Sequence, residues 1–370
     1  MRAGKNDEAV TCLREHLITN AADHAAWHQL AVAETQCRNY FAALKAIKRA
    51  LALAPSEIAY QRQHGFTQVS LGNCDAAIAA LLPMLQASPE DYFVLHALQI
   101  AYCKSCKEND AIALGRTILQ LEDRAAISRP APPANTPASA PRRGSRKIIA
   151  YSLWGASPVY NYGAMINARL APFIYPGWKC RFYLGQGVPD STRASLTQAG
   201  AEIIEAAEKH ADVAPALWRF LAADDPGVAI FLCRDCDARL SPKEAAAVDA
   251  WLRSGKRAHV MRDHLLHRNL MLAGLWGART ETPLHMAPRM QRFSAGKPDA
   301  RYGADQRFLA HEIWPEIRAD CLLHDSHYDL FNAQPFPVMG KGNDRFHVGM
   351  GVKGEDGLRR EAKLLGLSWL

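Results

Sequence analysis

Two carboxylates separated by one residue, Asp235-Cys236-Asp237, follow an unbroken apolar run from Val228 to Cys233 and a single arginine. The run reads as a buried strand. Strand side chains alternate, so Asp235 and Asp237 are expected to share a face. Hard oxygen ligands at a strand end suit Mg2+ or Mn2+. Such an ion bridges a diphosphate and neutralises charge developing on its leaving group. Ser241 is expected to cap a helix that starts near Pro242, with Glu244 at the third helical position. An Asp-x-Asp pair is common in surface turns, and the strand ahead of this one is what gives it weight.

Other residues admit chemistry with less context. Arg262-Asp263-His264 with His267 has two readings. Asp263 and the histidines could line an acceptor and supply a base, or form a hydrogen-bonded cluster that fixes a loop. A metal-dependent phosphohydrolase would need more histidines at tighter helical spacing. Cys103/Cys106 and Cys233/Cys236 make four thiolates by counting alone. They fall in different domains, and positions 233 and 236 on a strand face opposite ways, which argues against zinc. Neither a phosphate loop nor a dinucleotide glycine fingerprint appears.

The elements that must position these residues fall into two groups. Ala9, Ala43, Ala77 and Ala111 recur every 34 residues, with Leu13, Ile47 and Leu81 four residues after the first three. Pro55 and Pro89 keep the same interval, and Ala31 and Gly65 are small residues ahead of second helices. This register resembles the tetratricopeptide (TPR) repeat, an all-α array, here entered at the second helix of a repeat. Gln61, His64 and Gln99 depart from its usual apolar or small slots. Residues 1–126 are assigned to the array. Its concave face is expected to hold a protein partner. Arg129 to Pro141 carries five prolines, so 127–146 reads as a semi-rigid linker with a basic end. From Lys147 to residue 370, strands alternate with helices: Lys147–Leu153, Cys180–Leu184 and Glu202–Glu205, with helices at Ala164–Phe173 and Ser191–Ala199. That alternation implies an α/β domain with a mostly parallel sheet and ligands beyond the C-terminal strand ends. Leu358 to Leu370 reads as an amphipathic helix that docks on this domain.

Several ordered motifs add a second resemblance. They are Tyr151-Ser152-Leu153-Trp154-Gly155 with Tyr160, Gly163, Ala164 and Asn167, then Tyr175-Pro176-Gly177-Trp178 and Leu217-Trp218-Arg219-Phe220. After the acidic pair come Met261-Arg262-Asp263-His264, Gly274-Leu275-Trp276-Gly277, Gly303-Ala304-Asp305-Gln306 and His324-Asp325-Ser326. Together they resemble a GT-A-type, DxD glycosyltransferase from about Lys147 to Asp356, with a Rossmann-like sheet. The resemblance implies that Asp235 and Asp237 hold the metal and the donor diphosphate. It gives the nucleoside to Tyr151, Ser152 and Trp154, the donor phosphate or sugar to Arg219, and a close backbone wall to Gly274, Trp276 and Gly277. Asp305 and Gln306 would face the sugar or acceptor, and with Asp263 they are the catalytic candidates. A third metal ligand would be a C-terminal histidine, His324 ahead of His347. In Phe346-His347-Val348-Gly349 a histidine stands where Phe-Val-Gly is expected.

The chain has 370 residues, 49% of them hydrophobic, and a net charge of +7. That is enough for two globular domains. The basic balance favours anionic partners and selects none. No apolar run is long enough to span a bilayer, and the polar start lacks a signal-peptide core. Nine cysteines without a compact framework suggest reduced thiols in the cytoplasm. Two functions compete. The first is a metal-dependent transfer of sugar from a nucleotide-sugar donor to a glycan or protein acceptor, with no nucleic-acid partner and at most peripheral membrane contact. The second is a TPR scaffold whose α/β domain binds a nucleotide sugar or glycan without turnover.

Overall fold

The computed structural model describes residues 2–128, 144–295, 303–338, 346–352, 354–364 and 366. It forms two compact units, 1–121 and 122–370. The division falls inside a helix, and most of the expected linker, 129–143, lies outside the described residues.

The first unit is a helical repeat array. Its helices are α1 (Arg2–Thr19), α2 (His24–Gln36), α3 (Tyr40–Leu53), α4 (Ile58–Leu71), α5 (Cys74–Ala87), α6 (Tyr92–Lys104) and α7 (Glu108–Ile127). Ala43, Ala77 and Ala111 are fully buried, as are Ile47 and Leu81. Their small or branched side chains let successive helices approach, which is what a 34-residue repeat requires. Pro55 and Pro89 each fall two residues after a helix end, where a missing N–H costs nothing.

The second unit is a mixed α/β sheet domain. Its elements run β1 (Arg146–Leu153), α8 (Pro158–Ile174), β2 (Lys179–Leu184), α9 (Asp190–Gln198), β3 (Glu202–Glu205), a 3-10 helix at Pro215–Asp224 and β4 (Val228–Cys233). They continue with α10 (Pro242–Ser254), β5 (Ala258–Arg262), β6 (Trp276–Arg279), α11 (Met286–Ala295), α12 (Ala304–Phe308), α13 (Trp314–Ile317), β7 (Cys321–Asp325) and α14 (Glu355–Leu364). The strand order is β3-β2-β1-β4-β6-β5-β7. β6 is antiparallel to both neighbours and every other pairing is parallel. The C-terminal ends of β1, β4, β5 and β7 therefore open on one edge. From β1 the chain builds outward through β2 and β3, then crosses to β1's other side with β4. That reversal makes a topological switch point between the ends of β1 and β4, where open α/β sheets hold ligands.

The strands are apolar because helices cover the sheet. Ile149, Tyr151, Phe182, Leu184, Leu232 and Trp251 belong to one buried cluster. α14 adds Leu358, 1% exposed, to that cluster, whereas Leu364, expected on the apolar side of the C-terminal helix, is 85% exposed, and residues 365 and 367–370 lie outside the described residues. No helix among the described residues is long and apolar enough to cross a membrane.

Candidate active site at the switch point

β4 ends at Cys233, so Asp235 and Asp237 lie in the turn beyond it rather than on the strand. The turn closes with Ala238 N donating to Asp235 O at 3.3 Å. Cys236 points inward, 3% exposed, and its thiol donates to Ser152 O at 3.5 Å. The two aspartates on either side are partly exposed. In-and-out alternation thus continues past the strand end. Two glycines set the position of this turn. A β-carbon on Gly163 would lie 1.8 Å from Cys236 O, and one on Gly274 would lie 2.1 Å from Asp235 Oδ2. Asn167 of α8 holds the far side, donating to Ala238 O at 2.8 Å and accepting from Leu240 N at 3.2 Å. Ser241 caps α10 by accepting from Glu244 N at 3.3 Å.

Arg219 organises the crevice. It sits on the 3-10 helix ahead of β4 and is 5% exposed. Its backbone N–H donates to Ser152 Oγ at 2.9 Å. Its Nη1 donates to Asp235 Oδ1 and its Nη2 to Asp305 Oδ2, the latter at 2.8 Å. Burial works against the guanidinium charge, and Asp235 followed by Asp305 outweighs it, so the pKa lies above the ordinary arginine value. Asp305 opens α12, and its other oxygen accepts from Gln306 N at 2.9 Å. Both Asp305 oxygens are therefore engaged, which suits a residue that positions Arg219 better than a free base. Gln306 stays half-buried beside it.

The remaining expected residues separate into surface and core. Trp154, at the end of β1, is 46% exposed and offers a ring at the crevice edge. Tyr151 is fully buried and stacks on Phe182 at 4.7 Å, so the expected nucleoside contact is corrected to a core position. The hydroxyl of Ser152 serves Arg219 instead of a ligand. Trp276 is also a correction: it is fully buried on β6, edge-on to Phe231 at 5.0 Å. Gly277 answers sheet packing, since a β-carbon there would lie 2.5 Å from Phe231 O. Gly274 abuts the acidic turn.

His324 does not join the acidic pair. It lies on β7, three strands from β4, about 14 Å at ordinary strand spacing. There it is 2% exposed, with its Nδ1 2.8 Å from His259 Nε2. Burial pushes its pKa down to about 4. The expected third ligand is therefore corrected. Asp263 is likewise no free base. Its carboxylate receives Lys243 Nζ at 2.7 Å, Ser326 Oγ and Val348 N at 2.7 Å, which ties β5, β7, α10 and residue 348 together.

Next to Asp263 stands a histidine cluster, with ring centroids 5.7 Å apart for His264–His267, 4.5 Å for His264–His347 and 5.0 Å for His267–His347. His264 Nδ1 accepts from Leu266 N and His267 Nδ1 from Asp263 N, both at 3.0 Å. Each ring then carries its proton on Nε2 and cannot ligate a cation through that atom without losing its bond. His347 is the reverse: Nδ1 faces Val348 O at 3.1 Å, which leaves the Nε2 lone pair available. Its segment also runs beside the acidic turn, with Val352 N donating to Asp237 O at 2.8 Å. Among the described residues no three histidine, cysteine or carboxylate side chains are grouped to hold a metal.

Sequence reasoning missed what lies under the turn. Arg234 Nε donates to Glu244 Oε1 at 3.1 Å, and Tyr175 OH donates to the same oxygen at 2.9 Å, all three being buried. Arg262 and Asp325 form a second buried pair at 2.7 Å. The one available signal was an arginine directly after an apolar strand, since a buried charge needs a partner.

No known family profile matches the chain, and no curated protein matches it. Solved structures share parts of its shape. MamA residues 41 to the end from Desulfovibrio magneticus RS-1 is 21% identical over 32% of this chain and 68% of that one, at a TM-score of 0.31. A mutant Thermobaculum terrenum O-GlcNAc transferase is 21% identical over 63% of this chain and 43% of that one, at 0.35. The Naa15/Naa10 assembly bound to HypK-THB matches over 36% of this chain and 19% of that one, at 25% identity and 0.24. The chain thus spans less than half of the transferase, and likenesses at these scores carry no functional weight.

Proposed function

We infer that the α/β unit is a metal-dependent glycosyltransferase that binds a nucleotide-sugar donor at the crevice between β1 and β4. The observation that carries this reading is Arg219, a buried cation fixed between Asp235 and Asp305 at the switch point. Both arms of its fork are taken by carboxylates, so Arg219 acts by fixing Asp235 at the crevice, where that carboxylate can hold the cation that a donor diphosphate binds. Trp154 supports the reading with an exposed ring on which a nucleobase can stack. Gly274 supplies backbone close enough to Asp235 to wall the donor sugar.

The acidic pair suits Mg2+ or Mn2+ in kind, with Asp237 and Asp235 as carboxylate ligands. Among the described residues no third side chain joins the pair, so water and donor phosphate oxygens would complete the cation's shell. A bound cation would neutralise the donor diphosphate. Asp235 would then share its carboxylate between the cation and Arg219. The repeat array would recruit a protein partner or the glycan or protein acceptor through its concave face. A second reading, nucleotide-sugar binding without turnover, draws on the saturation of Asp263 and Asp305 by hydrogen bonds, which leaves neither as an obvious base. Hydrolysis of UDP- and GDP-sugars with Mn2+ separates the two. Wild type should release free sugar, and Asp235→Ala and Asp237→Ala should each lower the rate at least tenfold. Equal rates in all three proteins would refute the metal site.

A further inference from the structure

In the repeat array the turns that follow α2, α4 and α6 are built alike. Arg38 N donates to Thr35 O at 3.0 Å and Asn39 N to Glu34 O at 2.8 Å. In the next repeat Gly72 N donates to Val69 O at 3.1 Å and Asn73 N to Gln68 O at 3.0 Å. In the third, Cys106 N donates to Cys103 O at 3.3 Å and Lys107 N to Tyr102 O at 2.9 Å. The residue that ends each turn is left-handed, with φ of 62° at Arg38, 80° at Gly72 and 57° at Cys106. This is the paired-bond helix cap, repeated at 34-residue intervals. Its first and last slots are Thr35/Arg38, Val69/Gly72 and Cys103/Cys106.

The geometry brings those slots within bonding reach. A turn closed by an i to i+3 bond holds its end Cα atoms within about 7 Å, and disulfides span about 4.4–6.8 Å. Core contacts of α6 come from Leu95, Leu98 and Ala101, whereas Cys103 is half-buried and Cys106 exposed. A side chain at a left-handed position is also less favourable than glycine, and Gly72 occupies the equivalent slot one repeat earlier.

We propose that Cys103 and Cys106 form a reversible dithiol–disulfide site that reacts with low-molecular-weight disulfides of the glutathione class. The exposed Cys106, as thiolate, attacks one sulfur of the small disulfide. The small S–S bond breaks, one small thiolate leaves and takes a proton, and Cys106 carries a mixed disulfide. The Cys103 thiolate then attacks Cys106 Sγ, forming the intrachain bond and expelling the second small thiolate. Two cysteine thiols give up two electrons and two protons, and one small disulfide becomes two thiols. Cys12, exposed in the middle of α1 with no second cysteine in that helix, stops at the mixed disulfide.

Full-length protein equilibrated with mixtures of reduced and oxidised glutathione, quenched by alkylation and mapped by peptide mass, tests this. In wild type the segment holding both cysteines should lose two hydrogens and carry no glutathione, while Cys12 carries an adduct. Cys103→Ser should leave a stable adduct on Cys106. Cys106→Gly, which installs the residue the preceding repeat already has there, should slow reaction at Cys103 at least tenfold. A lasting adduct on Cys106 in wild type, a bond from either cysteine to another partner, or no reaction where Cys12 reacts would overturn the proposal.

Discussion

Arg219 and Asp305 are 86 residues apart in sequence and joined by a 2.8 Å bond from Nη2 to Oδ2. That bond fixes the guanidinium whose other nitrogen holds Asp235. Nη1 also donates to Arg234 O at 3.2 Å, so the two carboxylates and one carbonyl together set the plane of the fork. Through Asp235 the pair links the start of α12 to the turn after β4.

Arg219→Lys keeps the charge and loses the fork, since a lysine ammonium is a point charge that cannot span two carboxylates with fixed geometry. Donor hydrolysis should fall at least tenfold, and the melting temperature should fall too, because the lysine leaves buried hydrogen bonds of Arg219 unmade. Asp305→Asn, which retains one acceptor for Arg219, should lose less than Asp305→Ala. Equal losses in the two Asp305 variants would remove its positioning role.

Gly274→Ala and Gly163→Ala probe opposite sides of the acidic turn. At Gly274 the added carbon meets the Asp235 carboxylate first and its backbone N at 3.1 Å, so the bond to Arg219 is displaced and activity should drop tenfold or more, with a smaller loss of stability than at Gly163. At Gly163 it meets the Cys236 carbonyl, which belongs to the backbone, so stability should fall by about 1–3 kcal/mol or more. Thermal melts and hydrolysis rates measured side by side distinguish the two.

Aromatic truncation separates surface from core. Trp154→Ala should weaken nucleotide binding several-fold while leaving the melt unchanged. Trp276→Ala removes a fully buried ring and should cost about 3–5 kcal/mol. Loss of stability in the first or its absence in the second would contradict the assignment.

Acid sensitivity follows from histidines kept neutral by burial. His267 is pushed down to about 3, by burial and then by His347 and His264, and His324 to about 4 by burial. Unfolded histidine titrates near 6.5, so between about pH 6.5 and these values the unfolded chain binds more protons. Stability is then intact above about pH 6.5 and falls with acidification, by about 1.4 kcal/mol per pH unit for each such histidine. Melting curves from pH 7 to pH 4 should show this fall, and His267→Gln should flatten it. An unchanged slope in that variant would mean His267 is not kept neutral.

Much of the fold was legible because it rests on period and spacing. The 34-residue recurrence of Ala43, Ala77 and Ala111 located the array, and strands at Cys180–Leu184 and Glu202–Glu205 fell within a residue of their positions. The acidic turn was legible from the apolar run ahead of it. Which residues near a strand end face the crevice was not. Tyr151 and Trp154 differ by three positions in one motif, and only packing by α8 and β2 decides that the first is core. Asp263 and His324 look like ligands in sequence, and their partners, Lys243, Ser326, Val348 and His259, come from distant segments. The Arg219 bridge was equally hidden, since Asp305 lies beyond five intervening elements.

Calorimetric titration of UDP and GDP reads the crevice between β1 and β4 itself. One of the two nucleotides should bind wild type at one site in the presence of Mn2+. Binding should weaken at least tenfold when Mn2+ is chelated, in Asp237→Ala and in Arg219→Lys. Binding that is absent in wild type, or equally tight under all four conditions, would contradict a nucleotide-diphosphate site between β1 and β4.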